Sequence, residues 1–390
     1  MKYICEHYIP GDSVENRAFT LSAVDKVDYI ISAFTRNNIK IELISASRST
    51  NEDGYYKERT DKISDMCKII SSPTFGTKSM IGKKIQRIYM LFWLTIFLLK
   101  NCKKGEWVAV YHSIFTVLPM LIVKKIKKIK IINEVEELFY ELDTNTSNCR
   151  KKLELKIIKE SDSFIFASKQ LNDKCNSIIK KPYVIANGSY NSVPKRIYKK
   201  NKKIRLIYAG LISLGKVAFK TVEIANYLTS DYELCIIGYG DQNSIYELQK
   251  LINKVNIKSE CKVFFDGIKR GVDYEAYLQN CSIGLCPLTT DSLFQSACFP
   301  SKITSYIANG LHVVTTFNKT IAESPYKDVV SFVKNQSPKE FATTIMQLKT
   351  ASLRDTRELI KELDLEFVDM VKKRLISTIN KIDLYSKNKE

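Results

Sequence analysis

FPSKITSYIANGLHVVTT, residues 299–316, holds a helix start and a buried strand in immediate succession. Pro300 and Ser301 suit a first helical turn, because proline's missing N–H is not needed there and the serine hydroxyl can cap a free amide. His312–Thr316 is short, apolar and β-branched with no polar alternation, the pattern of a parallel strand covered on both faces. A helix leading directly into such a strand is the building step of an α/β fold.

Working outward, the same step recurs. Strand-length apolar runs lie at 2–5, 40–45, 107–111, 130–133, 163–167 and 183–186, then at 204–209, 232–237, 262–265, 282–286, 312–316 and 329–333, with helical stretches between them. This is a doubly wound α/β pattern written twice. The polar, basic stretch NGSYNSVPKRIYKKNKK at 187–203 separates the two copies. The expected organisation is a Rossmann-like domain at 1–190, a linker at 191–203 and a second Rossmann-like domain at 204–352. A helix at 353–390 follows and returns to the first domain. Two such halves are expected to face each other across a ligand-binding cleft.

The chain has 390 residues, 61 Lys and Arg against 42 Asp and Glu, and a formal net charge of +19. Its 45% hydrophobic and 26% charged content is ordinary globular usage and excludes disorder and disulfide-scaffold classes. The ten cysteines show no C-x-x-C spacing and read as reduced side chains of a cytoplasmic protein. The N-terminal MKYICEHYIP has no long apolar core or cleavage site and reads as a strand rather than an export signal. The longest apolar run, IYMLFWLTIFLL at 88–99, is flanked by Lys83, Lys84, Arg87 and Lys100 and is too short to span a bilayer. Its two readings are a helix in a membrane interface and a helix buried against a sheet.

Four signatures follow one another in the second half: IYAGLISLGK (207–216), IIGYGDQ (236–242), FFDGIKR (264–270) and FPSKITSYIANGLHVVTT (299–316). Together with PGDSVENR (10–17), YHS (111–113) and IANG (185–188) they resemble the GT-B glycosyltransferases, specifically the retaining family 4 type found in bacterial polysaccharide, O-antigen and capsule assembly. The resemblance implies transfer of a sugar from a nucleotide donor, with a UDP-sugar favoured. It implies no metal and no further cofactor: no D-x-D pair occurs, and lysines with a helix N-terminus stand in for a divalent ion.

The residues themselves support parts of this. Gly210 ends a strand before Lys216, which suits a loop that brings backbone and an ammonium to a diphosphate. Ser301 and Lys302 at a helix start add amide dipoles and a full positive charge. By resemblance Lys216 and Lys302 contact the leaving diphosphate, and Gly238, Tyr239, Asp266 and Ile268 lie near the base. The family's two glutamates fall here at Ala297 and Ser305, and Ser305 takes the ribose-binding place. On the first half, His112 approaches the donor sugar by resemblance, with a structural histidine as the competing reading. Gly11, Asn16 and Arg17 in the first loop, at an expected helix start, and Glu134, Glu136 or Glu137 in NEVEELFYE are candidates for acceptor binding. A solvated acidic face is the alternative for the last three.

The charge calls for an anionic partner. KKIKKIK at 124–130 lies in the same half as the apolar run, and an anionic membrane surface accounts for both. No stacking module or zinc motif points to nucleic acid. A lipid-linked glycan acceptor at the inner face of the plasma membrane follows as the expectation. The rival readings are a non-catalytic GT-B subunit that activates a partner transferase, and a sugar-nucleotide epimerase of the same architecture.

Overall fold

The computed structural model describes residues 1–9, 11–12, 14–142, 146–195, 202–288, 299–335, 337–348 and 355–379. It divides into two compact units, one of Met1–Ser189 with Leu365–Glu390 and one of Tyr190–Asp364.

The first unit is built on β1 (Lys2–Cys5), β2 (Ile41–Ser45), β3 (Tyr55–Tyr56), β4 (Arg59–Ser64), β5 (Cys67–Ser71), β6 (Thr74–Phe75), β7 (Trp107–Tyr111), β8 (Lys130–Val135), β9 (Ser163–Phe166) and β10 (Tyr183–Ile185). Eight of these form one sheet in the order β10-β9-β8-β7-β1-β2-β5-β4, parallel except for β4, which runs antiparallel to β5 at the edge. β3 and β6 make a separate two-stranded ribbon. The chain leaves β1 to build one side and returns at β7 to build the other, so the switch point lies between β1 and β7.

Three helices of this unit matter below: α1 (Leu21–Arg36), α2 (Met80–Asn101) and α3 (Val117–Lys127). The core between α2, α3 and the sheet gathers Ile4, Ile44, Leu94, Leu98, Val108, Val110, Met120 and Val123. After α4 (Phe139–Leu142), α5 (Asn148–Glu160) and α6 (Lys169–Asn176), the last helix of the chain also contributes to this unit. Its Phe367 ring lies 5.5 Å from that of Tyr29 on α1. Asn37 donates to the Val368 carbonyl at 3.0 Å.

The second unit holds β11 (Ile204–Ile212), β12 (Tyr232–Gly240), β13 (Lys262–Phe265), β14 (Ile283–Cys286), β15 (His312–Thr316) and β16 (Val330–Val333). Its helices are α7 (Val217–Glu223), α8 (Gln242–Lys258), α9 (Gly271–Gln279), α10 (Ser301–Ala308), α11 (Lys319–Ala322) and α12 (Pro338–Gln347). The six strands are all parallel in the order β13-β12-β11-β14-β15-β16. This is the 3-2-1-4-5-6 order of dinucleotide-binding sheets, with its switch point between β11 and β14. Leu206, Tyr208, Leu234, Ile236, Ile283 and Leu285 fill the core, as expected of strands covered on both faces. The final helix, α13 (Arg357–Met370), starts in this unit, where Thr356 donates to the Ile307 carbonyl at 2.7 Å.

Each of the twelve expected strands is present. Two runs, β11 and β12, extend three residues beyond the apolar stretch that marks them. Strands β4 and β5 and the β3–β6 ribbon were not foreseen, because RTDKIS is polar and exposed along most of its length and CKIIS is barely a strand long. Nine cysteines are free, seven of them buried. Cys298, residues 196–201 of the linker and residues 380–390 of the terminal segment lie outside the described residues.

Candidate donor site

In the second unit, β11 and β12 run side by side to their ends, with Gly210 opposite Gly238 and Ile212 opposite Gly240. Both glycines of IIGYGDQ, Gly238 and Gly240, belong to the strand. Gly238 has φ +152°, and a β-carbon there would strike the Gly210 carbonyl oxygen, so the pair can approach only as glycine. The turn comes one residue after the strand, at Asp241, whose carboxylate caps α8 by accepting from the Ser244 amide at 2.9 Å.

Across the switch point, α10 begins at Ser301 with Pro300 as its cap residue. The expected serine cap is not made: no side chain accepts from the first turn, since Ser301 lies inside the helix and the residue before it is proline. Among the described residues the amides of Ser301 and Lys302 have no hydrogen-bond partner, so the positive end of the helix dipole is left open.

The Lys302 side chain runs from this helix start onto the end of β11. Its Nζ lies 4.3 Å from the centre of the Tyr208 ring and 3.3 Å from the Tyr208 hydroxyl, and that hydroxyl donates to the Leu211 carbonyl at 3.2 Å. A β-carbon at residue 210 would fall on the Lys302 Nζ. No carboxylate among the described residues pairs with this ammonium. Gly210, Lys302 and the open amides thus meet at the carboxyl end of the sheet's switch point, where positive charge is held against neutral partners.

Behind them, Tyr306 is fully buried and its hydroxyl accepts from the Ala209 amide at 2.8 Å, which ties α10 to β11. Gly284 on β14 leaves room for the Tyr306 ring. Ser305 shares a hydrogen bond of 3.1 Å with the Tyr274 hydroxyl on α9. Asp266 is held by the Tyr277 hydroxyl, and Ile268 and Tyr239 are exposed beside it. Lys216 stands exposed at the start of α7, after Gly215 at φ +66°. Ala297 lies outside the described residues. Sequence reasoning missed Tyr208, Tyr274 and the packing role of Tyr306, although IYAG placed Tyr208 next to the glycine that mattered.

The first unit gives its candidates different settings. His112 is 4% exposed, its Nε2 lies 2.9 Å from Glu154 Oε1, and its ring stacks on Phe139 at 5.6 Å. Glu154 is also buried and accepts from the Phe139 and Tyr140 amides at 2.8 and 3.1 Å. The expected contact of His112 with a sugar is therefore replaced by a closed internal pair.

Arg17 is corrected in the same way. It lies in an extended segment bridged to Ser49, ahead of α1 and not at its start. Its guanidinium donates to the Ser47 and Ser72 carbonyls at 2.8 and 2.6 Å and to Glu15 at 3.0 Å, leaving no fork for an acceptor phosphate. Asn16 is exposed and its carbonyl accepts from Thr50, while Gly11 is an exposed turn residue at φ +77°.

Glu134, Glu136 and Glu137 follow or end β8 near the first unit's switch point. Glu134 is 1% exposed and accepts from the buried Tyr3 hydroxyl, so it is part of the interior and not of a solvated face. Burial first, and then the neighbouring Glu136, push its carboxyl up to about 8. Its second oxygen has no partner. Glu136 pairs at 2.9 Å with the buried Lys26 of α1. Burial raises Glu137 as well.

Residues 204–350 match the family model described as "Glycosyl transferases group 1". No curated protein sequence matches the chain. Among solved structures, the chain is similar to the E. coli trehalose-6-phosphate structure bound with UDP-2-fluoro glucose, at 10% identity and a TM-score of 0.64, covering 95% of this chain and 96% of that one. An alpha,alpha-trehalose-phosphate synthase (UDP-forming) from Burkholderia xenovorans in complex with glucose-6-phosphate aligns at 8% identity and TM-score 0.64, over 94% and 96%. The Anabaena protein Alr3699/HepE in complex with UDP and glucose aligns at 10% identity and TM-score 0.59, over 97% and 98%. The likeness in fold spans both units, and the second unit carries the family's own sequence pattern. Residues 204–350 carry the sequence pattern of the group 1 glycosyl transferases, and the chain shares the GT-B fold of these solved structures.

Proposed function

We propose that the second unit binds the diphosphate of a nucleotide sugar, a UDP-sugar by preference, and that the chain transfers the sugar with retained configuration to a lipid-linked glycan in cell-surface polysaccharide assembly at the inner face of the plasma membrane. The observation that carries the donor half is Lys302, an ammonium with no carboxylate partner among the described residues, laid over Gly210 beside the open amides of α10. A diphosphate needs this combination most as the glycosidic bond breaks and charge builds on its terminal phosphate. The acceptor oxygen forms the new bond to the anomeric carbon from the face that the phosphate leaves, and the departing phosphate oxygen takes the acceptor's proton. Lys302 and the more exposed Lys216 hold the charge left behind, and Ser305 with Tyr274 offers hydroxyls to the ribose. The UDP in two of the neighbouring structures supports uridine as the base.

Calorimetric titration of UDP, GDP and CMP into the wild type, Lys302→Ala and Lys216→Ala tests this. UDP is expected to bind the wild type, and each substitution to weaken it at least tenfold. A folded chain that binds no nucleotide would overturn the donor reading. That result would favour a non-catalytic subunit, the reading to which Ser305 and Ala297 lend weight by replacing the family's two glutamates.

A further inference from the structure

α2 buries a narrow stripe, Gln86, Met90, Leu94 and Leu98, spaced four residues apart. A helix packed by one stripe normally turns polar residues outward, yet the opposite stripe here is Ile81, Ile85, Ile88 and Phe92, which are 54–72% exposed. α3 repeats the pattern: Met120 and Val123 face the core while Leu118, Ile122 and Ile126 are exposed. The two helices belong to one surface, because the Arg87 guanidinium of α2 sits 3.9 Å above the ring of Phe115, just ahead of α3. That ring is itself exposed.

The charged side chains of the two helices are all basic, although Glu58 from outside them accepts from the Trp93 indole of α2 at 2.9 Å. Neither helix contains Asp or Glu. Among the described residues, Lys83, Lys84, Lys100, Lys125 and Lys127 have no carboxylate within ion-pair distance, and Lys124 is the exception through Asp162. Apolar stripes bordered by uncompensated lysines complement a surface that is apolar inside and anionic at its rim. No helix of the described residues is long and apolar enough to cross a membrane.

We infer that the α2–α3 face is a docking surface for an anionic lipid bilayer, on which the helix pair lies flat. Ile81, Ile85, Ile88 and Phe92 of α2 and Leu118, Ile122 and Ile126 of α3 enter the boundary between headgroups and acyl chains. The flanking lysines reach lipid phosphates, each raising the partition roughly fivefold. At 1.5 Å per residue, the 22 residues of α2 extend over about 33 Å of bilayer surface. The inference deepens the lipid-linked acceptor reading and rests on it for its purpose, but its physical basis is independent of the donor site.

Flotation with vesicles of phosphatidylcholine alone or with 30% phosphatidylglycerol tests it on the full chain, alongside UDP titration and light-scattering mass. The wild type is expected to float with anionic vesicles and not with neutral ones. Ile85→Glu with Ile88→Glu, and separately Lys83→Glu with Lys84→Glu, should each lower anionic-vesicle binding at least tenfold while UDP binding is unchanged. Wild type that fails to float yet binds UDP would overturn the docking surface and leave the donor reading standing. Variants that float like the wild type would overturn it too. So would a dimer that Ile88→Glu dissociates, in a chain that ignores vesicles, since the face would then be covered by a second copy. Flotation lost in both variants, in a chain that binds no nucleotide, would uphold the docking surface and remove the donor reading alone.

Discussion

The Lys302 ammonium fills the volume that a β-carbon on Gly210 would need. The obstacle to a side chain at 210 is thus the far end of a flexible lysine and not backbone. Gly210→Ala is therefore expected to cost under about 1 kcal/mol in urea denaturation. It should still displace the ammonium and raise the dissociation constant for UDP roughly tenfold, about 1.4 kcal/mol. Equal and large losses in both measurements would mean that Lys302 is held rigidly for the fold.

Gly238 makes the opposite case on the neighbouring strand. Its φ of +152° excludes a side chain, and the atom its β-carbon would strike is the Gly210 carbonyl oxygen, which cannot swing away. Gly238→Ala is expected to destabilise the second unit by about 3 kcal/mol. Chemical denaturation followed by Tyr fluorescence and circular dichroism would show the shift in midpoint.

Glu154 holds three groups at once: His112 Nε2 and the amides of Phe139 and Tyr140. Glu154→Ala leaves all three without an acceptor in the interior and should cost about 3 kcal/mol or more. Glu154→Gln keeps one acceptor oxygen, enough for one of the two amides, and should cost less than the alanine. A stability difference near zero for both would show that water replaces the carboxylate.

Glu134 makes stability depend on pH in a definite direction. Below pH 4.5, its ordinary value, the carboxyl is protonated in folded and unfolded chains alike. From there to about 8 the unfolded chain releases the proton while the buried site keeps it, so this group's contribution falls as pH rises and is lost above the folded value. Urea midpoints at pH 5, 6.5 and 8 should therefore fall less in Glu134→Gln than in the wild type. The glutamine can still accept from Tyr3, so packing is not the variable.

How far the sequence could be read depended on the kind of interaction. Strands such as Ile283–Cys286 and His312–Thr316 announce themselves because burial on both faces leaves a run free of charged residues. Lys302 was legible for a local reason: Pro300, Ser301 and the lysine are neighbours, and a helix start has a charge of its own. Arg17 was misread, and the two readings of His112 were left open, because their partners are distant in the chain. Ser47 and Ser72 take up the arginine, and Glu154, hidden in the charged segment NCRKKLELKIIKE, takes up the histidine. A polar side chain's type shows what it can bind, while its partner is fixed by topology, which brings residues 42 apart into contact in the case of His112.

The antiparallel strand β4 gives the large sheet a border unlike its other strands. Its outward residues include Arg59, Asp61 and Lys62, with ion pairs to Asp12 and Asp65, and its register against β5 slips between Lys62 and Ser64. A growing β-aggregate needs a flat, uncharged template along which another chain can add its backbone. This margin is charged, irregular and reversed in direction, so the eight-stranded sheet ends there in an edge that makes a poor template for a further strand.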